Sequence, residues 1–168
     1  ALMGILVMAA CIFEDKRTNA IGALRVAPAP IGDYLIAKMC AVLLTSAATA
    51  AVVTAPVMGG RANYPLLAAV IVSAGFFTAA LGSLLASFFR DMEGAFAAVF
   101  AALIALLAPS IGCLIPALDA PWLRLIPSYW ALEGVRAALA GAVGGAPLYC
   151  CGFLLAGAAA FLPALYRY

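Results

Sequence analysis

Residues Pro65–Phe89 read PLLAAVIVSAGFFTAALGSLLASFF, without one charged side chain. A hydrocarbon core about 30 Å thick needs roughly 20 helical residues at about 1.5 Å each, and this stretch exceeds that. Three others do the same. Tyr34–Met58 carries a single charge, Lys38, close to its start, whereas Gly94–Pro116 and Pro147–Tyr166 carry none. A fifth apolar run, Ala1–Phe13, is too short to cross. The fold class is therefore all-α: a polytopic transmembrane helix bundle of four full spans plus the end of a fifth, forming one transmembrane domain over residues 1–168.

The short first run invites a signal-peptide reading, because Met8-Ala9-Ala10-Cys11 faintly resembles a lipoprotein cleavage site. No basic segment precedes it, which such a leader requires. The expectation is instead a span whose first turns lie before the sequence as given, in a longer protein.

Composition agrees with a lipid environment. Hydrophobic residues make up 68% and charged residues 10% of the 168, against about 45–50% and about 25% in soluble domains. A water-soluble globule of this size would have to expose much of that apolar surface. Nine Lys+Arg against seven Asp+Glu leave a net charge of +2, too small and too dispersed for a nucleic-acid binder. There is no histidine, which removes imidazole-ligated metals, Ser-His catalysis and a neutral-pH histidine switch. The five cysteines, Cys11, Cys40, Cys113, Cys150 and Cys151, form no C-x-x-C pair and read as small hydrophobes. A Cys113–Cys150 bridge at one membrane face has nothing in the sequence to support it.

The loops suggest an orientation. If Glu14–Asp33 is cytoplasmic, that side holds Lys16, Arg17, Arg25, Arg90 and Arg167, with Lys38 able to snorkel towards it. The other side holds Arg61, Arg124 and Arg136, so the positive-inside bias is modest. Within the spans, Gly75 and Ala79, Gly82 and Ala86, and Ser83 and Ser87 recur at four-residue spacing, which lets helix backbones approach closely in lipid. Pro109 should kink or interrupt the third full span by removing a backbone donor.

Two connections carry information. After Phe13 comes EDKRTNAIGALRVAPAP, residues 14–30. Ile21 and Leu24 are three apart, with Arg17 and Arg25 for a polar side and Thr18 or Asn19 as candidate caps. Pro28 and Pro30 end this short amphipathic helix, and Asp33 is a candidate N-cap for the span that follows. Such a helix either tucks its apolar side into lipid headgroups or docks in a cleft on a soluble partner. The outer connection, Ala117–Ala146, holds Trp122, Tyr129 and Trp130 among Leu and Ile, as any membrane interface does. Glu133 and Arg136 are spaced to pair on a helix.

The run Glu14-Asp-Lys-Arg, then Ile21-Gly-Ala-Leu24, Val26-Ala-Pro28 and Tyr34-Leu-Ile-Ala-Lys38, resembles the membrane subunit of type-2 ATP-binding-cassette exporters. Pro121-Trp122-Leu123 with Ile126-Pro127 and Glu133-Gly-Val-Arg136 is similar to that family's segment before its last span. Gly82-Ser-Leu-Leu-Ala through Phe89-Arg90 resembles its return between the middle spans. Order and spacing agree over nearly the whole chain, in the manner of bacterial drug exporters. The resemblance implies six spans in the complete subunit, the first and the start of the second being absent here. It makes 14–30 a coupling helix that docks on an ATPase subunit, through Glu14, Lys16, Arg17, Ile21, Leu24, Arg25, Val26 and Pro28. It also makes Trp122, Tyr129, Trp130, Glu133 and Arg136 an outer gate. The partners it implies are a separate ATP-binding-cassette ATPase subunit, a second permease copy or homologue, the lipid bilayer of the cytoplasmic (inner) membrane, and an apolar small-molecule substrate.

No G-x-x-x-x-G-K-[ST] loop occurs, so the chain should bind no cofactor itself and ATP should sit on the partner subunit. The spans are clear of charge apart from Lys38, unlike secondary transporters that titrate carboxylates deep in the bilayer. Asp91 and Glu93 read as a solvated turn. The expectation is thus a non-enzymatic permease of an ATP-driven exporter for apolar or amphipathic molecules. Its rivals are a non-transporting scaffold or assembly subunit and an ATP-independent facilitator.

Overall fold

Inside a bilayer every backbone N–H and C=O must find its partner within the chain, and a helix satisfies them locally. The computed structural model describes residues 3–20, 31–58, 63–89, 92–114, 126–140 and 146–167. These form α1 (Met3–Arg17), α2 (Ile31–Met58), α3 (Tyr64–Phe88), α4 (Met92–Leu114), α5 (Pro127–Leu139) and α6 (Ala146–Arg167), with no strand among the described residues. Four of them, α2, α3, α4 and α6, are long and apolar enough to cross a membrane. The expected bundle is the observed one.

The boundaries show local chemistry at work. Asn63 accepts a hydrogen bond from the Leu66 N–H at 3.4 Å and Pro65 stands in the first turn, so α3 begins with a side-chain cap and a pre-set φ. The first apolar run does not stop at Phe13, since α1 continues through Arg17. Thr18 and Asn19 form the turn that closes α1, and Ala20 is helical again, the rest of the helix they are expected to cap lying outside the described residues. The Thr18 N–H donates to the Glu14 carbonyl at 2.9 Å, its hydroxyl donates to the same carbonyl at 3.1 Å, and Asn19 has φ of 57°. Asparagine tolerates that left-handed geometry at a helix C-terminus. Asp33 does not cap α2. The helix already begins at Ile31 and Asp33 lies in its first turn, where its charge still favours the N-terminal dipole. Pro109 does not interrupt α4, which runs unbroken to Leu114 with the proline buried.

Hydroxyls in the spans turn back on their own helices. Thr45, Thr49 and Thr54 in α2, and Ser73, Thr78, Ser83 and Ser87 in α3, donate to carbonyls three or four residues earlier at 2.6–3.1 Å. They need no water or second helix. No buried side-chain nitrogen or oxygen among the described residues lacks a partner.

Helix α3 is the hub. It packs against every other described helix and most extensively against α6 and α1, and 61% of its most apolar window is buried, against 11% for α2. Small residues make the closeness. A methyl group at Gly82 would stand 2.8 Å from the Ile5 carbonyl oxygen, so α1 crosses α3 backbone to backbone there. On the α6 side, one at Gly157 would overlap the Phe76 ring at 2.5 Å. Phe77 and Phe153 meet edge to face at 5.7 Å between ring centres, a favoured aromatic geometry.

Candidate functional site

The helices leave two chemically different ends. At one, the C-termini of α1, α3 and α6 meet the N-terminus of α2. Asp15 accepts from Lys38 Nζ at 2.8 Å, through the same Oδ2 that receives the Tyr34 hydroxyl. Tyr34 and Lys38 are one helical turn apart and share a face of α2, so a single carboxylate joins α1 to α2 twice. Burial pushes the Asp15 carboxyl up, but the bonds from Lys38 and Tyr34 and the Lys38 charge outweigh it and hold Asp15 below its usual 3.8. The adjacent Lys16 turns to α3, donating to the carbonyls of Ala86 at 2.5 Å and Phe89 at 2.8 Å. Terminal carbonyls of a helix have no intrahelical partner and carry its negative dipole end, so a cation is well placed there. Partial burial lowers the Lys16 pKa from 10.5. Arg167, in the last turn of α6, stacks on the Phe88 ring at 4.0 Å.

This end is where the sequence placed the coupling segment. Glu14 and Arg17 are exposed on the last turn of α1, whereas Lys16 faces inward. Ile21, Leu24, Arg25, Val26 and Pro28 lie outside the described residues. Asp15 and Tyr34 are the members that sequence reasoning passed over. Their signal was Lys38: one charge in an apolar span calls for a counter-charge within reach.

The opposite end is aromatic. Tyr129 and Trp130 open α5 and meet edge to face at 5.6 Å, and Trp130 tilts over Tyr149 of α6 at 5.2 Å. Glu133 and Arg136 pair at 3.6 Å on the exposed side of α5, a contact worth little in water. Trp122 lies outside the described residues. Asn63 at the head of α3 donates its N–H to the Ala138 carbonyl of α5 at 3.2 Å. Ser128 donates to the Leu106 carbonyl of α4 at 2.6 Å, one residue from the Ala105 carbonyl that Pro109 deprives of its donor. Cys150, near the start of α6, carries a free thiol, so the Cys113–Cys150 bridge is not formed.

Between α5 and α6 lies an apolar cleft of about 410 Å³, lined by Pro127, Trp130, Leu148, Tyr149, Gly152, Phe153 and Ala156. That volume falls within the range of small-molecule sites. Phe153 also lines a smaller cavity of about 180 Å³, which Thr78 of α3, Ser110 of α4 and Ser128 of α5 share. The Phe153 ring is thus a common wall between the outer cleft and the interior.

A family model described as ABC-2 family transporter protein matches residues 1–167. No curated protein and no solved structure matches the chain.

Proposed function

The chain belongs to the ABC-2 family of transporter proteins and is a multi-pass membrane protein, and from that premise we propose that it is the permease half of an ATP-driven exporter. A separate ATP-binding-cassette subunit hydrolyses ATP and docks on residues 14–30. The permease pairs with a second copy or a homologue in the cytoplasmic membrane. The observation that carries this reading is the gathering of helix ends around that connection. It leaves α1 beside Asp15 and Lys16 and returns to α2 beside Tyr34, where the same side chains reach α2 and α3. A push on one loop therefore falls on the most buried helix of the bundle.

The cargo is apolar or amphipathic. The cleft of about 410 Å³ and the cavity beyond Phe153 offer rings, aliphatic groups and a few hydroxyls, and nothing there would compensate an ion for its lost hydration. The aromatic mouth formed by Tyr129, Trp130 and Tyr149, with the Glu133–Arg136 pair on its rim, acts as the outer gate.

The test is purification of the tagged chain in detergent, alongside Leu24→Asp, scored for a co-purifying ATPase with vanadate-sensitive hydrolysis. The parent should retain the ATPase and the variant should lose it, because a carboxylate in an apolar docking face has no partner to compensate its desolvation. A folded parent without ATPase would remove the exporter reading.

A further inference from the structure

The Asp15 carboxylate does more than neutralise a lysine. It bonds to two side chains of α2, Tyr34 and Lys38, while the residue beside it bonds to the end of α3. The loop between is thereby shut at its base. We propose that Asp15, Tyr34 and Lys38 form a latch that closes the α1–α2 connection on itself, so that force applied to residues 18–30 moves α1, α2 and α3 as one body. The proposal rests on the ATP-driven reading and names the residues that transmit its stroke.

A connection open at its base would absorb a push by swinging α1 against α2, because a free loop has many conformations of nearly equal energy. Closing it with a charge-assisted pair and a phenol hydrogen bond removes that freedom. The geometry is bidirectional. Tyr34 and Lys38 approach one oxygen from successive turns of α2, so neither translation nor rotation of α2 against α1 leaves both bonds intact. Lys16, held by the Ala86 and Phe89 carbonyls, passes the displacement to α3, which contacts every other described helix. Asp15, Tyr34 and Lys38 are positioning residues. They touch neither cargo nor nucleotide.

A merely compensating role for Asp15 makes a different forecast. Lys38→Met removes the charge that needs compensation, so in that case nothing should be lost. The experiment uses the permease–ATPase complex with all five cysteines replaced and spin labels at Val52→Cys and Leu148→Cys. Both positions are exposed on the end away from the latch. The distance between the labels is compared without nucleotide and after trapping with ATP and vanadate. The parent should show a trapped population at a new distance. Lys38→Met and the milder Tyr34→Phe should keep ATP hydrolysis but cut that population about fivefold or more, the low end of ordinary coupling between sites. The exchanged pair Asp15→Lys with Lys38→Asp restores the ion pair but leaves the Tyr34 hydroxyl without its acceptor on α1, so it should recover the population only to the level of Tyr34→Phe. A full shift in both single variants overturns the latch and leaves the exporter reading intact. A parent complex that hydrolyses ATP without any shift overturns the latch alone, whereas one that contains no ATPase overturns both.

Discussion

At the residue scale, Asp15 concentrates the electrostatics of the described chain. Its carboxyl lies below 3.8 because Lys38 and Tyr34 outweigh burial. A carboxyl with a depressed folded pKa lends stability above its unfolded pKa and loses it as pH falls through the folded value. The parent should therefore exceed Asp15→Asn by about 1–2 kcal/mol, the scale of a hydrogen-bonded, partly exposed ion pair. That margin should stay flat from about pH 8 to 5 and shrink only below about pH 4. Thermal unfolding in detergent across that range checks it, and a margin lost near neutrality would contradict the assignment. The sequence displayed Lys38 plainly, but not its partner. Lys38 lies far from Asp15 along the chain, so only folding shows which carboxylate of the Glu14-Asp15 pair turns inward. Gly82 was easier to read. Its spacing from Ala86 marked a close approach, and α1 lies there. Gly157 carried no such signal, because the Phe76 ring that it admits belongs to a distant span.

At the element scale, the spans were legible from uninterrupted hydropathy, with ends shifted by only a few residues. Helix α5 was harder. Its residues sit in a connection rich in aromatic side chains, and the reading there stopped at a pair spaced to fit a helix. Pro127 at its first turn and the Ser128 bond to α4 are what set it in place. Between α5 and α6 the cleft can be filled from within. A Cβ at Gly152 would meet no atom within 4 Å, so Gly152→Leu should place its side chain in open space and cost the fold under about 1 kcal/mol, less than overpacking a filled core does. If the cleft receives cargo, export of a hydrophobic dye should fall about tenfold, the equivalent of about 1.4 kcal/mol of lost binding. Unchanged export at unchanged expression would move the cargo path elsewhere, to the interior cavity or to a face shared with a second subunit.

At the scale of the whole molecule, the placement of charge agrees with the order of the helices. Lys16, Lys38 and Arg167 gather at one end through three separate contacts, whereas Arg136 belongs to the aromatic end with Tyr129 and Trp130. The loop arithmetic of the sequence anticipated this division, since alternate crossings of successive spans deliver 14–33 and 167 to one side and 61, 124 and 136 to the other. It could not say how the bundle packs. Hydropathy scores α2 and α3 almost alike, yet 11% of the apolar stretch of one and 61% of the other is buried, because α3 packs against every other described helix. Leu44, Val52 and Val53 of α2 remain exposed, as suits a surface that meets lipid tails or another subunit. The division of ends makes a direct topological forecast. In a cysteine-free background in intact cells, Thr18→Cys and Arg167→Cys should be shielded from a membrane-impermeant maleimide, while Asn63→Cys and Ala140→Cys should react. Permeabilisation should expose the first pair. All four behaving alike would contradict a bundle that spans the bilayer. A reversed pattern would keep the fold and invert the orientation, putting residues 14–30 out of reach of any ATPase in the cytoplasm. The exporter reading would then fall on geometry alone, because a stroke delivered at the latch requires ATP on the same side of the membrane.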